Sequence, residues 1–515
     1  MEFWIKASQL VLSLSILIFL HELGHFLPAR FFKIRVEKFY LFFNPWFSLV
    51  KKKIGETEWG IGWIPLGGYV KIAGMVDESM DKEQLAAPPK PDEFRSKPAW
   101  QRLIVMIGGV TVNIIVGIVV YIMVMFTWGE EQLHTADLED GLAIHPYMQK
   151  YGLESGDNVL AINGEDVLDY RDINRGIMIR DQYNLKVQKP DGTIEDVKLK
   201  ENIEYELFKK EGAMSPFSLR HKSTTVQYLY PVRDVFVNAK KSEEIPARAP
   251  IISIDGKDLK SLGTDINYSD YTSKKSVDVQ YSDGKDTLTV AVEGKSMKGL
   301  FNSLLAFKSG LRPGDKFLSM EGKTIEYFDQ IVTACYNNLG KSVEANVLRD
   351  GDTLALTLKV NKNGVVGFGP VDVKPEDLKY IREIKYGFGE SISRGFAMGM
   401  TTLGDYVGQL KFLFTKKGAG SVGGFGAIGN LFSPTWDWQS FWMNTALISI
   451  ILAFMNILPI PALDGGHVVF LLYEMITGKE APQKVLEYAQ TIGFFILIAL
   501  LLYANGNDIY NAFFK

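Results

Sequence analysis

The stretch HELGH places His21, Glu22 and His25 within five residues. On a helix, residues four apart share a face, so the two imidazoles project together. Two neutral imidazoles at that spacing can hold one zinc ion, and zinc lowers the pKa of a water it binds toward ~7. Glu22 is then placed to take a proton from that water and return it to a leaving amine. A catalytic zinc usually has three protein ligands. The other histidines are His134, His145, His221 and His467. The first three fall in polar sequence and read as surface residues. The remaining source of a ligand is MNILPIPALDGGH, Met455–His467, which sets Asn456, Asp464 and His467 in an otherwise apolar run.

The elements that must position these groups are apolar. Four runs approach or exceed the ~18–20 residues needed to cross a bilayer. They lie within 4–32, at Leu103–Trp128, at Phe441–Leu458 and at Thr491–Ala504, the last extending back to about Val485. The first has a lone Lys6 ahead of it, no small-x-small cleavage site, and an apolar run that continues past HELGH. A retained span is expected there, not a signal peptide. A charged residue at the centre of a span costs roughly 2.5–3.5 kcal/mol, so a cluster of such groups calls for a compensating partner.

Between spans one and two lie Arg30, Lys33, Arg35, Lys38, Lys51, Lys52, Lys53, Lys97 and Arg102, whereas GEEQLHTADLEDG from Gly129 has no Lys or Arg. By the positive-inside rule the first loop is cytoplasmic, and the large middle region and both termini are outside. Spans one and three then run in the same direction. HELGH ends about five residues before Arg30, roughly 8 Å from the cytoplasmic end. Asp464 lies just past the inner end of span three, so the two motifs are expected to meet at similar depth.

With 515 residues the chain needs several domains. Nothing in a net charge of −4 suggests nucleic acid, which would want a basic face. The single cysteine, Cys335, rules out an intrachain disulfide or a Cys-rich metal site and reads as a small core residue. The middle region alternates apolar and polar residues in short runs such as YNLKVQ and TLTVAVE, which read as half-buried strands. Within it, GLESGDNVLAINGEDV (Gly152–Val167) and GLRPGDKFLSMEGKTI (Gly310–Ile325) repeat each other, and IISIDGKDL from Ile251 is a partial third copy without the GLxxGD lead. The repeat resembles the core of PDZ domains, which can bind extended peptide by strand addition. From 384 to 413, Ile392, Phe396, Leu403, Tyr406, Val407, Leu410 and Leu413 recur at mostly three- and four-residue spacing. This pattern predicts an interfacial amphipathic helix on the membrane or a helix packed on the middle domains. The following GAGSVGGFGAIG reads as a loop or re-entrant segment, since it lacks the Gly-Lys-Ser/Thr ending of a phosphate cradle.

HELGH in the first span, PLGGYVK at Pro65–Lys71, Gly109 and Asn113 in the second span, the paired repeats, and NILPIPALDGGH together resemble the bacterial site-2 protease family, the RseP-type intramembrane zinc metalloproteases. The likeness covers nearly the whole chain and is weakest in the middle region, which is longer than two PDZ modules need. It implies a polytopic α-helical membrane protein with four transmembrane helices and extracytoplasmic PDZ-like α/β domains between spans two and three. The implied domains are 1–128, membrane core with spans one and two; 129–235, first PDZ-like domain; 236–375, second PDZ-like domain with an insertion or degenerate repeat; 376–440, amphipathic and Gly-rich membrane-associated segment; and 441–515, membrane core with spans three and four.

The resemblance further implies that His21, His25 and Asp464 hold Zn2+, with Glu22 as general base and His467 not a ligand. Asn456 would hold the substrate backbone near the scissile carbonyl. Gly67, Gly68 and Tyr69 would lie in a loop dipping into the membrane and clamp an unwound substrate strand by edge pairing. Gly109 and Asn113 would pack span two against the core. Implied partners are membrane lipid and single-span membrane proteins after a first external cleavage, of the anti-sigma factor or remnant signal peptide type, with no nucleic acid. The implied location is the bacterial inner membrane, multi-pass, with the outer modules excluding bulky ectodomains. A non-catalytic PDZ-bearing scaffold with a structural metal site is the rival. A transporter using the same ligands is a weaker one, because no span pair is repeated.

Overall fold

The computed structural model describes residues 2–65, 67–75, 88–208, 215–220, 222, 224–228, 251–258, 271, 273–282, 286–292, 294, 310–312, 314–360, 368–370, 381–413, 415, 418 and 423–514. His221 and Leu66 lie outside them, as does much of the Gly-rich stretch before Gly423. The chain divides into two compact units: residues 1–130 with 383–508, and residues 131–382 with 509–515.

Among the described residues of the first unit, four helices are long and apolar enough to cross a membrane. They are α1 (Glu2–Phe31), α2 (Ala99–Thr127), α4 (Trp438–Ile457) and α6 (Gln483–Phe514), and they match the four apolar runs of the sequence. Two further helices, α3 (Phe388–Leu413) and α5 (Asp464–Thr477), complete the unit's long helices. The chain enters α4 through Asp437, whose carboxylate accepts the Ser440 amide at 2.5 Å. Pro459 and Pro461 then end that helix, and α5 starts directly at Asp464.

α2 is the central helix and packs against α1, α3, α4 and α5. Its crossing with α1 needs backbone-to-backbone contact. A Cβ on Gly24 would lie 2.5 Å from the Gly108 carbonyl oxygen, and one on Gly108 would lie 2.0 Å from that of Gly24. Glycines at both positions are what allow the spans to approach this closely. α3 uses the same device. Ser391, Gly395 and Gly399, four apart, form its buried stripe, and a Cβ on Gly395 would come within 2.5 Å of the Ile122 amide. Of the large residues that mark its periodicity, Ile392, Phe396, Val407 and Leu413 are exposed, whereas Leu403 packs against the cluster of Val120, Tyr121 and Ala446, and Tyr406 meets Phe454 of α4 edge-on. The closest approach of helix α3 to span two is made by its small residues.

The segment between α1 and α2 folds into a four-stranded sheet of β1 (Val36–Leu41), β2 (Val50–Ile54), β3 (Thr57–Ile61) and β4 (Tyr69–Ile72), in the order β2-β3-β1-β4. β4 pairs antiparallel with β1, and Tyr69 stands opposite Tyr40. Ala29, Ile34, Val36 and Ile72 join Val105 and Met106 of α2 and Leu471 of α5 in one buried cluster. This cluster seats the sheet against the helices that carry the candidate site.

The second unit contains, among its described residues, three four-stranded sheets with one strand order. In the first, Asn158–Ile162 lies between Glu165–Asp166 and Asn184–Gln188, with Ile194–Lys198 outermost. Lys316–Met320, Lys323–Thr324, Ser342–Arg349 and Asp352–Lys359 repeat the arrangement. The partial copy repeats it too, through Ile251–Ile254, Lys257–Asp258, Val277–Ser282 and Thr287–Val292. All three first strands carry a register shift at the same place, before Ala161, Ser253 and Ser319.

Strand Leu142–Ile144 exchanges backbone bonds with Gly156 and Asp157 of the first sheet, at 2.8 and 3.0 Å. Val226, in strand Val226–Tyr228, does the same with Gly314 and Asp315 of the third, at 2.9 and 3.0 Å. The third sheet's leading strand thus precedes the entire second sheet in the chain. Cys335 is buried in the third module's core, as expected, and burial pushes its thiol up to about 12.

Candidate active site and metal centre

α1 presents His21 and His25 on one face, with ring centroids 4.9 Å apart. The Nε2 atoms of the two rings are 3.3 Å apart, and each lies 3.3 Å from Asp464 Oδ2. A tetrahedral zinc with bonds of about 2.0–2.1 Å sets neighbouring ligand atoms about 3.3–3.4 Å apart, so this near-equilateral triangle has the size of one zinc face. Asp464 Oδ2 is itself buried and accepts no hydrogen bond among the described residues. An acceptor so placed between two imidazole nitrogens, in an apolar unit, suits a cation. The donor set of two imidazoles and a carboxylate also suits zinc.

α2 holds both rings from behind. His25 Nδ1 is 2.8 Å from the Val105 carbonyl, so Nδ1–H donates there and leaves the Nε2 lone pair toward the triangle. The Asn113 carboxamide lies 3.1 Å from His21 Nδ1, and Asn113 Oδ1 is otherwise buried without a partner. With Oδ1 turned onto the ring, it accepts the His21 Nδ1–H and frees that Nε2 as well. A Cβ on Gly109 would lie 2.3 Å from His25 Nε2 and 2.6 Å from His21 Cε1. Only glycine leaves room for the two imidazoles. The sequence marks Gly109 and Asn113 as packing residues. The structure puts both against the histidines.

Glu22 is buried and borders the same cleft, of about 530 Å³. Gly67, Gly68 and Tyr69 line one wall, and Asn456, Asp464 and His467 also border it. A Cβ on Gly68 would come within 3.2 Å of Glu22 Cγ and 2.7 Å of Ile18. The backbone of the PLGGYVK stretch therefore runs directly beside the carboxylate side chain. β4, which begins at Tyr69, is an edge strand, and no described strand covers its outer edge. His467 is not part of the triangle, and its Nε2 lies 2.7 Å from Gln490 Nε2.

The remaining described histidines belong to the second unit. His134 is half-buried beside Gln132, and His145 is half-buried against Tyr336 while it accepts the Tyr147 amide. The backbone acceptor Val105 O and the Gly24–Gly108 crossing have no motif of their own. The one sequence cue for this support is the four-residue spacing of Gly109 and Asn113.

The sequence pattern of peptidase family M50 matches residues 9–500. The chain is 27% identical to the regulator of sigma E protease of Haemophilus influenzae, over 99% of each chain. It is 25% identical to the regulator of sigma-E protease RseP of Escherichia coli, over 98% of each. A Thermotoga maritima protein that carries a zinc metalloprotease name is 25% identical over 97% of this chain and 98% of its own. With a pattern that spans nearly the whole chain, four membrane-length helices and a His-His-Asp triangle in their midst, the chain belongs to peptidase family M50, the site-2 proteases, and is a zinc metalloprotease of the membrane.

Proposed function

We propose that the protein is an intramembrane endopeptidase of the bacterial inner membrane that cuts the transmembrane segment of single-span proteins already shortened on their outer side. The observation that carries this reading is the convergence of three metal-sized donors, 3.3 Å apart, on a cleft that also holds Glu22 and an uncovered strand edge.

A substrate helix protects its own amides, so it must unwind before attack. The outer edge of β4 offers backbone partners to an extended substrate strand, and the side-chain-free Gly67–Gly68 lets that strand approach Glu22. Asn456, across the cleft, donates its amide N–H to the backbone carbonyl next to the scissile bond. His21, His25 and Asp464 hold the zinc, which when bound supplies Lewis acidity near the scissile carbonyl. Glu22 takes a proton from the attacking water as the C–O bond forms, then gives it to the amine nitrogen as the C–N bond breaks.

The regulator of sigma-E protease names of two relatives support substrates of the anti-sigma factor type. The repeated sheets of the second unit act as extracytoplasmic PDZ-like modules that restrict which ectodomains are admitted. One contact favours exclusion over peptide capture in the first module. Asn174, on helix Tyr170–Met178, donates to the Phe217 carbonyl at 2.7 Å and accepts the Phe217 amide at 3.0 Å. A peptide adding to strand Phe217–Leu219 would need those same two groups.

The test is cleavage of a truncated single-span protein co-reconstituted in liposomes with the native chain or with Glu22→Gln. The variant is expected to lose about 10²–10⁴-fold in rate and keep its zinc. Undiminished cleavage by the variant sinks the mechanism.

A further inference from the structure

We propose that Arg102 and Glu474 are a positioning pair that sets the rotation and depth of α5, and through it the place of the Asp464 carboxylate. The inference rests on the reading of Asp464 as a metal ligand.

α5 is a short helix between two breaks in the chain. Before it, Leu458–Leu463 is irregular, with Ala462 in the left-handed region at φ 74°. After it, Gly478 at φ 69° ends the helix and turns the chain toward α6. Its first turn is held by Gly465 and Gly466 against the backbone of 457–461 and by His467 on Gln490 of α6, whereas Val469, Leu472, Tyr473 and Ile476 are exposed. Along its length α5 turns one stripe to α2, Asp464, Val468, Leu471 and Glu474, at spacings of four, three and three.

α2 offers the matching stripe in the opposite direction. Near Asp464 it presents Gly109, behind the imidazoles. At the middle, Leu471 and Val468 pack into the cluster with Val105 and Met106. At the far end, Arg102 donates from Nη2 to Glu474 Oε1. The guanidinium is held in turn, with Nε on the Lys97 carbonyl at 2.9 Å and Nη2 also 3.5 Å from Glu480 Oε1. Arg102 is buried, at 9% exposed, and the Glu474 side chain is 16% exposed.

A buried ion pair of this kind is a weak source of net stability, because desolvation offsets attraction, and its best-attested use is to fix register. Here register has a chemical consequence. Val105, one turn beyond Arg102, orients His25; Asn113 orients His21; and Arg102 indexes the helix that carries Asp464. All three ligands are thereby set against one helix.

The experiment is a double-mutant cycle on the full-length protein in detergent. Zinc affinity is read by competition with a chelator, and ligand geometry by the visible spectrum of the cobalt-substituted protein. Partners that orient metal ligands typically contribute 10–100-fold in affinity. Glu474→Gln is therefore expected to weaken zinc binding by about 10–100-fold and shift the cobalt bands. In an Asp464→Ala background the same substitution should change nothing further. The swap Arg102→Glu with Glu474→Arg should restore affinity, and it serves if Glu474→Gln does not fold. Equal losses in both backgrounds, or no loss in either, overturn the pair's role while leaving Asp464 a ligand. If Asp464→Ala itself leaves zinc affinity intact, the ligand assignment fails, and this proposal with it.

Discussion

Asp464 in the first unit, with the membrane-length helices, and Asp157 and Asp315 in the second unit are aspartates whose carboxylates are largely withdrawn from solvent, but their surroundings differ. Asp157 accepts the Glu154 amide at 2.9 Å and the Lys189 ammonium at 2.8 Å. Asp315 accepts the Arg312 amide and the Arg349 guanidinium, both at 2.7 Å. Each pair closes its own turn, since Lys189 and Arg349 also reach the Gly152 and Gly310 carbonyls. Asp464 Oδ2 has no such donor and faces two imidazole nitrogens. A buried carboxylate fully matched by local donors staples a fold, whereas one left unmatched in apolar surroundings is available to a ligand from outside the chain.

The sharpest way to break this contrast is to delete both kinds of aspartate. Asp464→Ala is expected to weaken zinc binding sharply, to what two imidazoles hold, and to abolish cleavage while the second unit stays folded. Asp315→Ala takes from the largely buried Arg349 guanidinium its carboxylate partner, which costs the second unit up to about 3–5 kcal/mol, yet leaves zinc stoichiometry intact. Metal analysis and thiol labelling of Cys335, the only cysteine and a core residue of the third module, read the two effects separately. Loss of zinc in Asp315→Ala would erase the distinction.

Glycines extend the comparison at a smaller scale. Gly109 is required for space, because its Cβ would strike both imidazoles, and Gly109→Ala should cost about 10²-fold in cleavage through misplaced ligands. Gly164 has nothing within 4 Å of a Cβ but sits at φ +87°. Gly164→Ala should therefore cost the second unit about 1–3 kcal/mol of stability and nothing in turnover. The observation against this would be a cleavage defect in Gly164→Ala equal to that in Gly109→Ala.

The site was legible to the extent that its residues are rare where they stand. Histidines and carboxylates in apolar runs, with the expected shared direction of spans one and three, lead from HELGH to the Met455–His467 stretch, and the family resemblance singles out Asp464 within it. The support was not legible, because it is made of groups with no side-chain signature: the Val105 carbonyl, the Gly24–Gly108 contact and the small face of α3. In α3 the periodicity of Ile392, Phe396 and Val407 marks the exposed face, and the packing stripe is glycine and serine. In the second unit the GLxxGD turns identify two sheets. The sheet between them shows in the sequence only as the partial copy IISIDGKDL, which lacks that lead, and the nested chain order is hidden because Val226–Tyr228 is a three-residue strand without a motif.

Two asparagines carry the contrast further, with a smaller effect. Asn113 serves a ligand ring, so Asn113→Ala should weaken zinc binding about 10–100-fold. Asn174 serves a strand edge, so Asn174→Ala should speed hydrogen exchange at the Phe217 amide and leave zinc untouched. Protection of that amide in the variant equal to the native chain would show that the edge is covered by something other than the carboxamide.

The smallest effect expected is acid sensitivity confined to the second unit. Asp140 bonds Lys222 at 2.7 Å and the Tyr327 hydroxyl at 2.5 Å, and its carbonyl accepts from Arg220, which also holds Asp329 at 3.1 Å. These contacts tie the first sheet's module to the third's. Burial alone would raise the Asp140 pKa, but Lys222, Tyr327 and Arg220 outweigh it and hold the carboxyl below its usual range. A carboxyl lowered in the folded state contributes stability that is present above its unfolded pKa, about 3.9, and fades as pH falls through the folded value. Labelling of Cys335 by a pyridyl disulfide, which reacts in acid, should therefore accelerate below about pH 4, and less steeply in Asp140→Asn. Zinc release in acid should be the same in both proteins, because the ligand triangle belongs to the other unit. If Asp140→Asn shifts the pH of zinc loss, the two units are coupled, and the division between matched and unmatched carboxylates does not coincide with the division of the chain.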